Sequence, residues 1–456
     1  MRKKTEAGLA FFGSFFYNQE ERTNTGEDDG MRQPKSQKKK SGFRRGAELF
    51  MAFVGLLLSL AILWVVGRQV LAYFSQRPAA AELPGPAATA AAVSPAPTAA
   101  PTPEPTIEPT PVPTPEPTPE PTPEPTPEPT PEPVHYSIPE DANEGPEPDA
   151  RCYGVISMDE PEKLLAVIQD ARDRGLLGPD EEVAFDPSVE FYRGIYSRDI
   201  EYYLDDSILV LLWKENMDGM CCTFTEVKVA DPSQFRRKLA EDTFDAGNQY
   251  YATQLAEQTN AVVAMNADFY RFRDMGIVAW NRELYRFNTA QYTGSYSLYN
   301  CVETLFVNSS GDFLYKYLGE VETEESIRKF MEDNDILFSI AFGPVLIENW
   351  QPRSWDWYPV GEVNMGYSRA GIGQMGPCHY LYMSLNHGDQ AARWTVDEFA
   401  QHFAQKPVMT AYCLDGGQTE EVVFRGQAYN YMDFGNERLV SDILYFVTAI
   451  PEDARP

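Results

Sequence analysis

The chain has 456 residues and a formal net charge of −30 at pH 7. An acidic excess of this size argues against nucleic acid or an anionic surface as the main partner, although the glutamates of a repeat contribute part of it. None of the four histidines lies in a cluster spaced like metal ligands, and the six cysteines fit neither a zinc site nor a dense disulfide framework. We therefore expect no metal and no cofactor, and leave open one or two disulfides.

Residues 1–48 form a basic tail, and residues 49–74 are predicted to be a transmembrane signal anchor. The stretch 49–66 contains no charged residue and is about long enough to cross a bilayer core as a helix. Lysines and arginines crowd its N-terminal side, which predicts a cytoplasmic N-terminus and an extracellular C-terminal domain. A buried core helix is a weaker interpretation, because nothing before this stretch could supply a core. We therefore expect a single-pass protein of the cell membrane.

Residues 75–139 are predicted to be a disordered linker rich in Pro, Thr and Glu. Its Pro-Thr-Pro-Glu repeat has almost nothing to bury and favours extended polyproline II. At about 3.1 Å per residue, the Pro-rich part could reach on the order of 100 Å, which fits a spacer that holds a domain clear of the membrane. A ligand for proline-recognising modules is the less favoured alternative.

The remainder divides into a predicted N-terminal extension, 140–194, and a domain, 195–456. Hydrophobic periodicity and capping signals predict four helices, at 159–177, 232–240, 249–259 and 395–402. Strands are predicted at 207–213, 222–229, 261–265, 336–347, 380–385 and 443–447. Because these elements mix without a strict βαβ repeat, we expect an α+β fold with a mixed sheet rather than a doubly wound α/β fold.

Two predicted strands end in motifs that contain a carboxylate. The apolar run 411–414 stops at Asp415-Gly416-Gly417, where two glycines let the backbone turn sharply and approach a ligand closely. The strand 261–265 is followed by Asn266-Ala267-Asp268. An Asp-Gly pair is also a common turn signal, and a turn cap explains Asp268 nearly as well, so structural roles stay open at both places.

Four motifs occur in the order found in one known family. The segments 266–270, 342–347, 368–373 and 414–419 together resemble the successive motifs of the phosphodiester glycosidase family. A segment with Asn430, Glu437 and Arg438 resembles the C-terminal signature of that family. The resemblance covers roughly residues 195–450 and implies cleavage of the bond between a sugar and a phosphodiester. The chain departs from the family pattern at Ala267, at Ala370-Gly371 and at Gln418-Thr419, although Thr419 keeps a hydroxyl.

The chemistry of such a cleavage, argued beside the resemblance, suggests roles for particular residues. Such a reaction needs a cation on the phosphate and a carboxylate that activates water or attacks carbon, with a second carboxyl as an optional acid. We expect Asp415 to be the catalytic carboxylate, Asp268 the second carboxyl and Glu420 a reserve, although the pair Glu420-Glu421 is typical of a solvated surface. Arg369, which the sequence suggests lies in a Gly-rich turn, is expected to bind phosphate. The other predicted substrate-binding residues are Asn266, Gly416, Gly417 and Thr419.

The sequence therefore predicts a membrane-anchored, exported hydrolase that acts on a glycan or sugar-phosphate polymer. One alternative is a non-catalytic glycan-binding module at the cell surface, which is suggested by the altered residues in three motifs. A second is an envelope-polymer phosphotransferase. That activity would need a lipid-phosphate donor, of which the sequence gives no direct sign.

Overall fold

The computed structural model describes residues 134–273, 275–288, 302–359, 363–386, 394–431 and 435–451. The predicted basic tail, the transmembrane anchor and nearly all of the predicted linker lie outside these residues. Within the described ranges, no helix has both the length and the apolar character needed to cross a bilayer.

The largest sheet has nine strands, which are numbered here in chain order. Their spatial order is β1 (Tyr153–Ile156), β2 (Ile200–Leu204), β3 (Ile208–Met217), β4 (Met220–Val229), β15 (His379–Asn386), β14 (Arg369–Gly376), β16 (Thr410–Leu414), β12 (Val345–Glu348) and β13 (Gln351–Pro352). Strands β3 and β4 form a hairpin that turns at Asp218 and Gly219, both with positive φ, as the right-handed twist of paired strands favours.

Three smaller sheets complete the β-structure. A five-stranded sheet has the order β18 (Gln427–Ala428), β17 (Val422–Phe424), β6 (Val263–Asn266), β19 (Asp442–Phe446) and β5 (Phe235–Leu239). A three-stranded sheet contains β10 (Phe313–Lys316), β9 (Thr304–Asn308) and β11 (Ile336–Ile340), and β7 (Gly276–Trp280) pairs with β8 (Glu283–Asn288). All the strand pairings of the described residues are antiparallel, so the predicted mixed sheet is wrong.

The fold is mostly β, with few helices. The α-helices of the described residues are α1 (Leu164–Asp173), α2 (Ala252–Gln258), α3 (Glu324–Asp333) and α4 (Val396–Phe403). Helices predicted at 249–259 and 395–402 are confirmed, with Thr395 as the N-cap of α4, and the helix predicted at 159–177 is shorter than expected. The strand predicted at 336–347 is two strands, β11 and β12, separated by a bend at Gly343-Pro344.

The helix predicted at 232–240 is wrong. Asp231 does cap a helical turn, because its side chain accepts a hydrogen bond from the amide of Ser233. That turn is a single 3-10 turn, Pro232–Gln234, after which Phe235–Leu239 becomes a strand paired with β19. Pairing with a strand about 200 residues away overrides the local helical signal.

Phe235 marks the place where three sheets meet. Its ring stacks on Phe446 of the five-stranded sheet at 4.6 Å and lies 4.8 Å from the ring of Tyr380 in the nine-stranded sheet. Phe338 of the three-stranded sheet completes the contact at 5.6 Å. The main core is therefore shared among sheets, and helix α2 covers the five-stranded sheet with Ala252, Leu255 and Ala256 packed on Ala264, Val423 and Ile443.

The segment 140–194 contributes to the same core. Strand β1 pairs with β2 at one edge of the nine-stranded sheet, and Leu164 and Ile168 of α1 belong to the main cluster of buried residues. The buried His379 of β15 also joins this segment to the sheet, since its two ring nitrogens lie 2.9 Å from Glu181 and 2.8 Å from Glu226. Five cysteines of the described residues form no disulfide, including the buried neighbours Cys221 and Cys222. Cys301 lies outside the described residues.

Candidate active site

Asp415 lies at the point where a buried strand ends. Every residue of β16 is buried, and the chain then turns through Gly416 into the 3-10 turn Gly417–Thr419. The carboxylate of Asp415 accepts hydrogen bonds from the amide of Gly416 at 3.0 Å and from the hydroxyl of Thr419 at 2.7 Å. The motif therefore builds a closed loop around its own carboxyl group.

The two glycines make this turn possible for different reasons. A Cβ atom on Gly416 would lie 2.6 Å from the carbonyl oxygen of Ser368, so no side chain fits there. Gly417 has open space around it but a φ of +66°, which L-residues rarely adopt. Its amide donates to the same Ser368 oxygen at 3.0 Å, and the turn is thus fastened to the start of β14.

The environment of Asp415 perturbs its acidity. Burial of the carboxyl group raises the pKa of Asp415 to about 6, and the nearby Asp268 charge adds to the rise. The hydrogen bond from Thr419 and the positive charges of Arg273 and Arg438 act in the opposite direction and limit the shift in pKa. A carboxyl with a pKa near neutrality can exchange a proton at physiological pH, as an acid–base group must.

Asn266 holds the Asp415 turn in place. Its side-chain amide donates a hydrogen bond to the main-chain carbonyl of Asp415. Its side-chain oxygen accepts from the hydroxyl of Tyr382 at 2.8 Å and from the amide of Glu421 at 3.2 Å. Asn266 is only 1% exposed. The structure thus brings it to the site as a positioning group whose polar atoms bond to the protein itself.

Asp268 lies near Asp415 but inside a buried ion-pair network. One carboxylate oxygen accepts from the amide of Ala341 at 2.9 Å and lies 3.4 Å from Arg237, and the other accepts from the amide of Phe269 at 2.6 Å. Arg237 also pairs with the fully buried Asp442 at 2.6 Å. These contacts compensate the burial of the charges and fix the turn that follows β6.

Glu420 and Glu421 are buried, so the expectation that this pair lies on a solvated surface is wrong. Each is 1% exposed. Glu420 lies close to Asn430, whose side-chain amide donates to its main-chain oxygen at 3.0 Å. Burial, together with a hydrogen bond to the carboxyl of Glu437, raises the pKa of Glu421 to about 9. Two carboxyl groups that share one proton avoid the cost of a buried charge pair.

The sequence suggested that Arg369 lies in a Gly-rich turn, and this prediction is wrong. Arg369 is the first residue of β14, which pairs with both β15 and β16. Its guanidinium donates to the carbonyl oxygen of Met365 at 2.7 Å. The glycines around it serve packing, because a Cβ atom on Gly371 would lie 3.0 Å from Leu346 and one on Gly373 would lie 2.4 Å from Val408. The glycines of this segment, which in the sequence suggest a turn, are therefore explained by residues that pack closely against a central strand.

Two arginines that were not proposed as site residues from the sequence lie near Asp415. Arg273 and Arg438 both lower the pKa of this carboxyl. Arg273 lies over the rings of Phe269 and Phe342, 5.0 and 4.4 Å from their centroids. Arg273 lies seven residues after Asn266, and Arg438 belongs to the C-terminal segment with Asn430 and Glu437. Neither position by itself signals proximity to Asp415.

The described residues contain no group of three or more His, Cys, Asp or Glu side chains arranged to hold a metal ion. The chemical resources of the site are thus a carboxyl group of raised pKa, a second carboxylate, two nearby guanidinium groups and a set of aromatic rings. This combination suits a substrate with both negative charge and an apolar face.

Comparison with known proteins identifies the class. The family model described as phosphodiester glycosidase matches residues 259–447, a range that contains Asn266, Asp268 and Asp415. Over this range, the chain is similar to the phosphodiester glycosidase family, in agreement with its motifs. This match suggests a glycosidase-type hydrolase domain.

Individual relatives are distant. The SPbeta prophage-derived uncharacterized protein YomE of Bacillus subtilis (strain 168) is 25% identical over 224 residues, which are 47% of this chain and 33% of that protein. The match thus spans about a third of the length of that relative.

Solved structures show low similarity. The zebrafish N-acetylglucosamine-1-phosphodiester alpha-N-acetylglucosaminidase catalytic domain, auto-inhibited by its pro-peptide, matches with 14% identity and a TM-score of 0.40, over 53% of this chain and 82% of that one. A hypothetical protein from Synechocystis matches with 14% identity and a TM-score of 0.37, over 55% of this chain and 64% of the other. Similarities of this size indicate nothing about activity.

Proposed function

We propose that the chain is a hydrolase that cleaves the glycosidic bond of a sugar-1-phosphate diester on a glycan or envelope polymer. The family assignment supports the reaction class. The observation that carries the proposal is the placement of Asp415, a carboxyl with a pKa of about 6 at the end of a buried strand, held by Thr419 and Gly416. A base whose pKa lies near the working pH is both ionised and basic enough to take a proton from water.

The chemistry follows from that carboxylate. Water adds to the anomeric carbon while the bond from this carbon to the phosphate oxygen breaks, through an oxocarbenium-like transition state. The bonding electrons leave with the phosphate oxygen, giving a phosphate monoester, and the proton of the attacking water passes to Asp415. Since a phosphate monoester leaves readily, strong acid assistance is not required. Asp268 and Glu420 stay predictions for a second carboxyl.

We further propose that the enzyme acts outside the cell, anchored by residues 49–66 and spaced from the membrane by the Pro-rich linker. The support is the uncharged stretch with basic residues on one side. Treating intact cells with a protease tests this placement. We expect loss of the C-terminal domain from intact cells, and its full protection would contradict the proposal.

A non-catalytic glycan-binding module is the second candidate. It is favoured by one observation, the hydroxyl of Thr419, which occupies an altered position of the Asp415 motif and bonds to Asp415 itself. A hydroxyl engaged in this way holds the loop instead of contacting a substrate. Under this alternative, the site would bind a sugar phosphate without turning it over.

Turnover separates the two functions. The full chain, purified in detergent, is incubated with a panel of sugar-1-phosphate diesters, including an N-acetylglucosamine-1-phosphate diester of mannose, and followed by phosphorus NMR. We expect a phosphomonoester signal from the unchanged protein and a loss of about 100-fold or more in rate for Asp415→Asn. Asp245→Asn, at an exposed aspartate, is the matched control and should keep full activity. A folded protein that binds these diesters but hydrolyses none of them would favour the binding module.

A further inference from the structure

We propose that Arg273 and Arg438 bind the phosphate of the substrate, and that the stacked rings of Phe269 and Phe272 bind the sugar attached to it. These four residues are called the arginine–phenylalanine clamp below. The inference rests on the proposed function, because it names the groups that would recognise a sugar phosphodiester at the Asp415 site.

The guanidinium groups of both arginines have no ion-pair partner among the residues that the structure describes. Neither guanidinium forms an ion pair or a hydrogen bond with an acceptor among the described residues, and the Nη1 atom of Arg273 is buried without any partner. A buried donor that loses its water without gaining an acceptor is costly. In a chain with a formal charge of −30, two cations near one carboxyl group, one of them with a buried donor that lacks an acceptor, mark a place suited to an anionic ligand.

The aromatic rings connect the two cations. Phe269 and Phe272 stack with their centroids 4.4 Å apart. Arg273 lies 5.0 Å from the centroid of Phe269, while Arg438 lies 5.9 Å from it and 5.5 Å from that of Phe272. Cation–π contacts hold the guanidinium groups next to the stack. The clamp is therefore a single unit in which charge and apolar surface lie side by side.

Phe272 leaves part of this unit open to solvent. Its exposed fraction is 40%, so part of the ring is open to solvent beside the two half-buried arginines. The apolar face of a sugar ring can cover an aromatic surface of this kind, while the phosphate faces the guanidinium groups. Planar guanidinium groups also match the geometry of phosphate oxygens better than an ammonium group does. The ligand class that fits the clamp is a sugar phosphate.

Both arginines lie within electrostatic reach of Asp415, since each lowers its pKa. A phosphate held between them would bring the adjoining anomeric carbon toward this carboxyl. Arg369, which is expected from the sequence to bind phosphate, donates to the carbonyl oxygens of Met365 and Trp394. The clamp thus takes over the phosphate-binding role expected for Arg369.

Titration calorimetry of the full chain with inorganic phosphate and with N-acetylglucosamine 1-phosphate tests the clamp. We expect Arg273→Met and Arg438→Met each to weaken both ligands by about 10-fold or more, because each removes a charge-assisted contact. Arg271→Met is the matched control, since Arg271 lies on the same turn but donates to the carbonyl of Asn248 and should leave both dissociation constants unchanged. Phe272→Ala should weaken the sugar phosphate by several-fold and leave inorganic phosphate unaffected.

A second readout separates electrostatic action from a purely structural role. Removing either positive charge should raise the pKa of Asp415, so the acidic limb of the pH profile of kcat/KM should move to higher pH. Arg273→Lys and Arg438→Lys keep the charge and should retain most of the phosphate affinity. If either methionine variant melts at a lower temperature than the unchanged protein, the phosphate affinity of the two lysine variants tests the clamp instead.

The outcomes distinguish the clamp from the proposed function. Phosphate affinity unchanged in both methionine variants, or no binding of either ligand by the unchanged protein, would overturn the clamp even if diesters are hydrolysed. Conversely, binding that is lost as expected, in a protein that hydrolyses no diester, would keep the clamp and refute the hydrolase.

Discussion

Asn266 and Asp415 are 149 positions apart in the chain, yet the side-chain amide of Asn266 donates directly to the main-chain carbonyl of Asp415. This contact joins the end of β6 in the five-stranded sheet to the end of β16 in the nine-stranded sheet. The hydroxyl of Tyr382, from β15 of the nine-stranded sheet, donates to the side-chain oxygen of Asn266 at 2.8 Å. The catalytic candidate is therefore positioned by two sheets at once.

Removing this link should destabilise the protein as well as its site. Asn266→Ala deletes one buried donor and an acceptor that serves Tyr382 and the amide of Glu421. We expect a loss of roughly 2–4 kcal/mol in the free energy of unfolding, because buried partners are left unsatisfied. Urea denaturation followed by tryptophan fluorescence measures it. Asn364→Ala, which removes a single exposed hydrogen bond to Asp356, should cost under about 1 kcal/mol. Equal losses in the two variants would contradict the positioning role.

The two glycines of the Asp415 turn should respond differently to alanine. Gly416→Ala would drive a Cβ atom to 2.6 Å from the Ser368 carbonyl, which must move and take β14 with it. Gly417→Ala meets no atom within 4 Å and bears only the strain of a positive φ, about 1–2 kcal/mol. We expect Gly416→Ala to lower both the melting temperature and kcat/KM much more than Gly417→Ala does. A larger effect of Gly417→Ala would show that the turn depends more on the positive φ of Gly417 than on the lack of room for a Cβ atom at Gly416.

The activity should depend on the ionisation of Asp415. Since burial raises its pKa to about 6, and a base must be ionised, kcat/KM should fall tenfold per pH unit below about pH 6 and level off above it. Thr419→Val removes a hydrogen bond that lowers this pKa, so it should move the midpoint to higher pH. The pH profile of diester hydrolysis measures both. A midpoint near pH 4 in the unchanged protein would place the base elsewhere.

His379 should make the stability of the fold depend on pH. Burial lowers the pKa of His379, but hydrogen bonds and charges of Glu181 and Glu226 outweigh this and raise it above its ordinary value of 6.5. Lys228, which lies 2.8 Å from Glu181, is the other charged group of this cluster. A raised pKa in the folded state means that the stabilisation is fully present below about pH 6.5 and is lost as the pH rises through the folded-state pKa.

His379→Gln tests this linkage. At pH 6 we expect a loss of roughly 3–5 kcal/mol in the free energy of unfolding, because Glu226 is left buried without its cation, and a smaller loss at pH 9. Urea denaturation at the two pH values measures the difference. His402→Gln is the control, since its partner Asp218 is largely exposed and little stability is at stake. A loss at His379 that does not change with pH would mean that this histidine is neutral in the folded protein.

Much of the candidate site could be located from the sequence because its parts are local motifs. The Asp-Gly-Gly turn after β16 and the Asn-Ala-Asp turn after β6 each follow an apolar strand, and the structure brings both to one place. The capping box at Thr395 likewise predicts the start of α4 from four consecutive residues. Such features depend on backbone geometry over a few residues, which a sequence pattern expresses directly.

Tertiary structure alone decided the features that depend on distant partners. Residues 235–239 form a strand because β19 lies beside them, and the glycines after Arg369 lie in a central strand because neighbouring layers need the space. Glu420 and Glu421 are buried, and Arg273 and Arg438 lie close enough to Asp415 to lower its pKa, through tertiary packing that no local pattern contains. The sequence by itself determined the turns that follow β6 and β16 and the side chains that lie in them, Asn266, Asp268 and Asp415. Only packing among sheets decided which charges lose their water and which neighbours they gain, since desolvation and Coulomb energy depend on distance in space and not on separation along the chain.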